Sequence, residues 1–281
     1  MGVREDRAVL LRKMSAGELP AAASVGAEVG WPGLERQFGF LLGHPFCEAV
    51  AAEVGGEVAG VGFGTHNGEV GWIALVCVRP GYQGRGIGTG ITERVADLLE
   101  RRGCRTLVLT ATGMGLPVYE RLGFSTETRY HGFTGPGLGP EPLHPHLRRM
   151  TPEHLPAVCD LDRRMTGEDR SHLLRALAGP GWLMAGEGGE ARGYHLPVPW
   201  GGGPTIAADW EAARALAHLT RTLSGPDETL GFWLAAENDP GMEFMEEIGF
   251  EEARSLPRMV RGRPPRWRPE ALWGIFSLGK G

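Results

Sequence analysis

Two stretches far apart in this chain spell nearly the same thing twice. LRKMSAGELPAA (11–22) returns as LRRMTPEHLPAV (147–158), and YERLGF (119–124) returns as MEEIGF (245–250). Each opening copy runs strand, Ser or Thr, an acidic helix start, then Leu-Pro. Each closing copy follows an apolar strand, LVLTAT or GFWLAA. The repeat spans about 126–136 residues, one domain length. The chain is therefore predicted to fold as two related domains in tandem, and its 281 residues leave room for both. The expected division is 1–134 for the first domain, a Gly/Pro-rich linker at 135–146, and 147–281 for the second with a basic tail.

Composition narrows the class. With 42% hydrophobic and 22% charged residues the chain can build an ordinary core, and a net charge of −5 gives it no general pull toward nucleic acid or anionic membrane. Four cysteines stand far apart with no CxxC pair, which fits buried free thiols in a reducing, cytoplasmic setting. No apolar run resembles a signal peptide or a membrane span. His144 and His146 lack a third ligand, so no metal is expected. The arginines at 254, 258, 261, 263, 266 and 268 form one basic run, read as a solvated edge.

The first domain alternates strand and helix signals. Gly55-Gly56 marks a hairpin between EAVAAEV and GEVAGVGFGTH. In the second of these strands the small residues Gly60 and Gly62 share a face, so something must pack closely there. VGWIALVCV is apolar throughout, as a strand covered on both faces would be. After it comes RPGYQGRGIGTG, and then a helix with apolar residues at Ile87, Ile91, Val95, Leu98 and Leu99. A strand feeding a helix through glycines is a common phosphate site: the helix N-terminus has unpaired N–H groups and a partial positive charge. The glycines at 84, 86, 88 and 90 do not fit GxGxxG, and no Gly-Lys-Ser/Thr follows as a Walker loop would need. A mere turn explains them poorly, because four alternate glycines weaken a helix start for no structural gain.

Gln83-x-x-Gly86-x-Gly88, placed after Val78-Arg79-Pro80, resembles the pyrophosphate loop of the GNAT acyl-coenzyme A acyltransferases. ATGMGLPVYERLGF resembles the last helix of that family, with a Tyr four residues before Gly-Phe. The resemblance covers roughly Val9–Phe133 and implies an α/β fold, or α+β mixed sheet, with two GNAT-like domains. Each would be a mostly antiparallel sheet flanked by helices. It implies that Gln83, Gly84, Arg85, Gly86, Ile87, Gly88 and Thr89 cradle the pyrophosphate of acetyl-coenzyme A. Val76, Cys77 and Val78 would pair with pantetheine amides, and Thr112 would bond a pantetheine carbonyl. Tyr119 would donate a proton to the departing thiolate. The implied activity is N-acetyl transfer by direct attack of a primary amine, on a small molecule or a peptide, in a bacterial protein of a superfamily where homodimers are common. Cys77 is read as a packing residue rather than an acyl carrier.

Two departures from the family pattern count against turnover. Many members carry a Glu on the strand that here reads GWIALVCV, which has none. His66 and Glu69 lie near it without recommending themselves as the base. The second domain lacks the loop, its helix starts with Asp209 and Glu211, and Met245 stands at the tyrosine position. It is therefore read as a relative that no longer binds the coenzyme, with Trp182, Trp200, Trp210 and Trp233 as candidates to line a cleft. The rival reading is an acyl-coenzyme A sensor without turnover.

Overall fold

The computed structural model describes residues 8–179 and 181–277. The first half runs β1 (Val9–Lys13), α1 (Leu19–Glu28), α2 (Glu35–Gly43), β2 (Cys47–Val54), β3 (Glu57–Asn67), β4 (Val70–Val78), α3 (Ile87–Arg101), β5 (Thr106–Thr110), α4 (Leu116–Arg121) and β6 (Ser125–Pro136). The second half runs β7 (Leu147–Arg149), α5 (Leu155–Thr166), α6 (Ser171–Leu177), β8 (Trp182–Ala185), β9 (Ala191–His195), β10 (Thr205–Ala207), α7 (Trp210–Thr222), β11 (Thr229–Ala235), α8 (Asp239–Glu247), β12 (Glu251–Gly262) and β13 (Leu272–Gly274). The architecture is mixed α/β, with two sheets flanked by helices.

The strands do not stay with their own half. The larger sheet has the order β1-β2-β3-β4-β5-β12-β6-β11. Strand β12, from the second repeat, is inserted between β5 and β6 of the first, and β6 in turn pairs with β11. The smaller sheet has the order β13-β10-β9-β8-β7. Residues 135 and 136, expected in the linker, are the end of β6. The irregular segment beyond them is tied down: the Gly137, Leu138 and Gly139 N–H groups bond to carbonyls of Glu228, Arg221 and Ser224. A core cluster joins the halves, with Trp72, Val108 and Tyr130 from the first beside Leu161, Leu173 and Tyr194 from the second.

Within the first half, α1 and α2 cover one face of β2–β4, and α3 covers the other. The close packing expected from the small residues of β3 is this helix contact. A Cβ on Gly62 would lie 2.3 Å from Ile91 Cγ2, and one on Gly64 would lie 2.7 Å from Val95 Cγ1. Both neighbours are β-branched and cannot swing away. Gly62→Val should therefore push α3 off the sheet and cost about 3 kcal/mol or more, read as a lowered urea midpoint. An unchanged midpoint would mean that α3 is not seated as described. The same helix carries the phosphate-type loop at its N-terminus, so this contact also sets the site.

The basic run is only in part a solvated edge. Arg258 lies within β12 and is only 1% exposed, its guanidinium 5.4 Å from the Trp72 ring centre and 4.5 Å from that of Trp267. Arg261 reaches Glu100 at 2.7 Å, and Arg254 lies over Trp233. Arg263, Arg266 and Arg268 do face solvent. A run of arginines in sequence says nothing about the strand alternation that buries some of them.

Candidate active site

The β4–β5 pair is the only parallel pairing among the described residues, and it is brief. Val70, Gly71 and Trp72 face Thr106, Leu107 and Val108 of β5; beyond Trp72 the two strands part. On its other side β4 bulges. Phe63 faces Ala74 and Val61 faces Cys77, so Leu75 and Val76 together oppose Gly62. Leu75 sits at φ 52°, the only positive φ outside glycine among the described residues. Such strain survives where the surroundings enforce it, commonly at binding sites. The fork leaves the inner edge of β4 at Val76, Cys77 and Val78 facing a gap rather than a strand. An extended chain of amides can pair with such an edge as an added strand.

The glycine loop closes the wide end of the fork. Arg79 N–H bonds Ala59 O at 2.9 Å, and its side chain holds Val58 O and pairs with Glu28. Pro80–Tyr82 makes one 3₁₀ turn, after which Gly84 and Gly86 adopt φ 76° and 75°. An L side chain at either position would be strained. Gly86 caps α3, and the N–H groups of residues 84–89 have no acceptor among the described residues. No acidic residue stands in the first turn of α3. A row of free donors at the positive end of a fifteen-residue helix suits a phosphate.

The expected loop residues differ in what they offer. Gln83 Nε2 donates to Val78 O at 2.9 Å and so ties the loop to the end of β4. Arg85 folds back, donating to Gly81 O at 3.2 Å with its guanidinium 5.5 Å from the Tyr82 ring centre. Ile87 is buried in the core under α3, so only its N–H faces the loop. Gly88 packs against Val78, and Thr89 is half-buried in the first turn. Cys77 turns its thiol into the core under α1 and α2, where burial pushes it up to about 12. A protonated, enclosed thiol is no nucleophile.

Across the fork stands α4. Thr112 is exposed and starts this helix, its carbonyl and hydroxyl both accepting from Gly115 N–H. Tyr119 leans back over Gly115: a Cβ there would lie 2.8 Å from its Cε2. The ring meets Phe124 edge-on at 6.2 Å. Burial, with a smaller push from the Cys77 thiol, holds the Tyr119 hydroxyl up to about 12, so it keeps its proton at neutral pH. That hydroxyl has no hydrogen-bond partner among the described residues. Residues of α4, the β4 bulge and the loop all pack on the core under α3.

His66 and Glu69 are not at the fork. Glu69 precedes β4, pairs with Arg105 at 3.3 Å and is exposed. His66 lies against Phe46, with burial and Arg102 lowering its affinity for a proton. What sequence reading missed is Glu168. It follows α5 in the second half, yet its Oε2 accepts from Asn67 Nδ2 at 2.7 Å and from Trp72 Nε1 at 2.9 Å. Nothing local links it to a tryptophan 96 residues earlier.

The corresponding region of the second half is built differently. Asp209 caps α7 by accepting from Ala212 N–H at 3.0 Å and is itself held by Arg192. That end of the helix is already neutralised. Met245 is buried in the core, and Asn238 caps α8. The four tryptophans line no common cleft. Trp200 and Trp233 pack on the core between the halves, Trp182 stacks on Arg149, and Trp210 borders a separate hollow of about 610 Å³ beside α7 and α8.

Comparison with known proteins agrees with this fold. Residues 21–124 match the model of the acetyltransferase (GNAT) family, and residues 158–274 match that of an acetyltransferase (GNAT) domain. Together the two matches cover most of the chain, which belongs to the GNAT acetyltransferases and carries two such domains in tandem. A solved Pyrococcus horikoshii protein described as an acetyltransferase is similar over 100% of this chain and 99% of its own, with TM-score 0.81 and 21% identity. A tandem GNAT protein from the clavulanic acid biosynthesis pathway is similar over 92% of this chain and 99% of its own, with TM-score 0.62 and 14% identity. A GCN5-related N-acetyltransferase from Sphaerobacter thermophilus covers 92% and 97%, with TM-score 0.62 and 16% identity. At these identities the likeness is one of fold.

Proposed function

We propose that the chain moves an acetyl group from acetyl-coenzyme A to a primary amine, at one site, in its first domain. The observation that carries this is the row of unpartnered N–H groups at residues 84–89, lying beside a forked strand edge and a free tyrosine hydroxyl. When bound, the coenzyme supplies an activated thioester. The chain's own part is to hold the pyrophosphate on the loop, to pair Val76, Cys77 and Val78 with the pantetheine arm, and to aim an N–H of the bulge at the thioester carbonyl. Tyr119 then gives its proton to the leaving sulfur. Thr112, exposed just before α4, would bond the arm.

Calorimetric titration with acetyl-coenzyme A tests the donor site. We expect one site per chain, lost in Gly86→Asp, where a side chain meets positive φ and a carboxylate meets the phosphate. Two sites would mean that the second domain also binds. Unimpaired binding by the variant would remove the loop from the account. The absence of any carboxylate on β4 favours a second reading, a coenzyme sensor without turnover. It predicts binding with no thiol release across amines. Among the described residues no helix is long and apolar enough to cross a membrane, and no group of His, Cys, Asp and Glu is arranged to hold a metal ion.

A further inference from the structure

An amine acceptor reaches the site at neutral pH largely as ammonium, because an unperturbed alkylamine holds its proton to about pH 10. Something must take that proton before the nitrogen can attack. Strand β4 offers no carboxylate, and Tyr119 is committed to the sulfur.

The second domain places a carboxylate at the same strand. Gly167 ends α5 in the left-handed conformation, packed against the Arg266 carbonyl, and so turns Glu168 toward the first domain. Trp72, its partner, is the last β4 residue paired with β5, at the crotch of the fork. Both β4 partners of the core between the halves, Val70 and Trp72, lie on the face opposite α3. Glu168 is therefore on the face away from α3, and one of its oxygens is free. Oε2 takes both donors, while Oε1 has no partner among the described residues although the residue is 4% exposed.

We propose that Glu168, supplied by the second domain, is the base that deprotonates the acceptor amine in the first domain's site. This rests on the transferase reading above. The ammonium gives one proton to Glu168, directly or through one water. The neutral amine attacks the thioester carbonyl, the C–N bond forms, and the C–S bond breaks. The thiolate takes the Tyr119 proton, the tyrosinate recovers one from the new amide nitrogen, and Glu168 sheds its own to solvent. The net change is ammonium and thioester to amide, thiol and one proton.

The surroundings tune the group for this task. Burial raises Glu168 to about 7, opposed by Arg170 and by the Asn67 and Trp72 bonds. Other charged and titratable groups face it. Asp162 is bound to Arg170, Tyr130 is held well above its ordinary value, and His172, joined through Asn67, is lowered to about 4. Arg258, over the Trp72 ring, is lowered to about 9. Activity should therefore rise with pH through about 7 as Glu168 loses its proton.

The test uses the full chain, acetyl-coenzyme A, and methylamine, spermidine, glucosamine and a tripeptide with a free N-terminus as acceptors. Thiol release is followed against pH, with acetyl-coenzyme A affinity and the melting midpoint measured alongside. Glu168→Gln should bind the coenzyme normally yet lose about 100-fold or more in kcat, with the acidic limb gone. Trp72→Phe removes one donor to the carboxylate and should move that limb to higher pH. A strut would show neither effect. If Glu168→Gln keeps its rate and pH limb, or Trp72→Phe leaves the limb in place, the assignment falls while the transferase reading stands. If the wild type binds acetyl-coenzyme A but releases no thiol with any of the amines, both fall.

Discussion

A chain ending at residue 146 is expected not to fold. It would keep every loop and catalytic residue of the first domain but lose β12, which pairs with Thr106–Thr110 of β5 on one side and with most of β6 on the other. Adjacent strands lie about 4.8 Å apart, so deleting β12 opens a slot of roughly 10 Å through the sheet. The unpaired edges of β5 and β6 would then face water or another chain. The apolar face of Trp72, Val108 and Tyr130 would be exposed as well. We expect insoluble or non-cooperative material without coenzyme binding, and recovery of soluble protein when residues 147–281 are co-expressed as a second chain. Circular dichroism melting and gel filtration decide this. A soluble, cooperatively melting fragment would show that β6 can close the sheet on its own.

Tyr119→Phe should cut kcat by about 100- to 10,000-fold, the range for loss of a positioned proton donor. Little else should change. The hydroxyl has no partner among the described residues, and the ring keeps its seat on Gly115 and Phe124. Stability and acetyl-coenzyme A affinity should stay near wild type, which separates loss of chemistry from loss of fold. Because burial keeps the hydroxyl protonated up to about 12, its own titration should not appear in the working pH range. Full turnover by the variant would mean that water protonates the sulfur.

The two tests address different layers of the molecule. The tyrosine and the glycine loop belong to one half and border the same core under α3. Their support comes from the other half, through β12 and the core around Trp72. The second domain has a capped helix where the first has free donors, and Met245 where the first has Tyr119. We read it as a structural partner that completes a sheet and, through Glu168, extends the site.

The local features were legible because they depend on local rules. Helical period marked α3, the paired glycines marked the β2–β3 turn, and the Gly-rich approach to α3 marked the donor loop. The fork in β4 was foreseeable only through likeness to a family, because strand separation leaves no periodicity. Repeat signals showed that there are two domains, but they carry no information on which strand pairs with which. Strand exchange between homologous halves leaves every local pattern unchanged, since β12 needs the same alternation in either sheet. Arg258 was misread for a related reason: an arginine in a polar run is exposed or buried according to what the neighbouring sheet supplies, here the two rings of Trp72 and Trp267. Glu168 depends on a bond across 96 residues, set by the packing of α5 against the first sheet. The sequence alone determined the family, the two-domain plan and the loop, whose physics lies within a few neighbouring residues. Only the tertiary structure decided how the halves share a sheet and which carboxylate stands at the fork, because those outcomes belong to packing between segments that no local pattern connects.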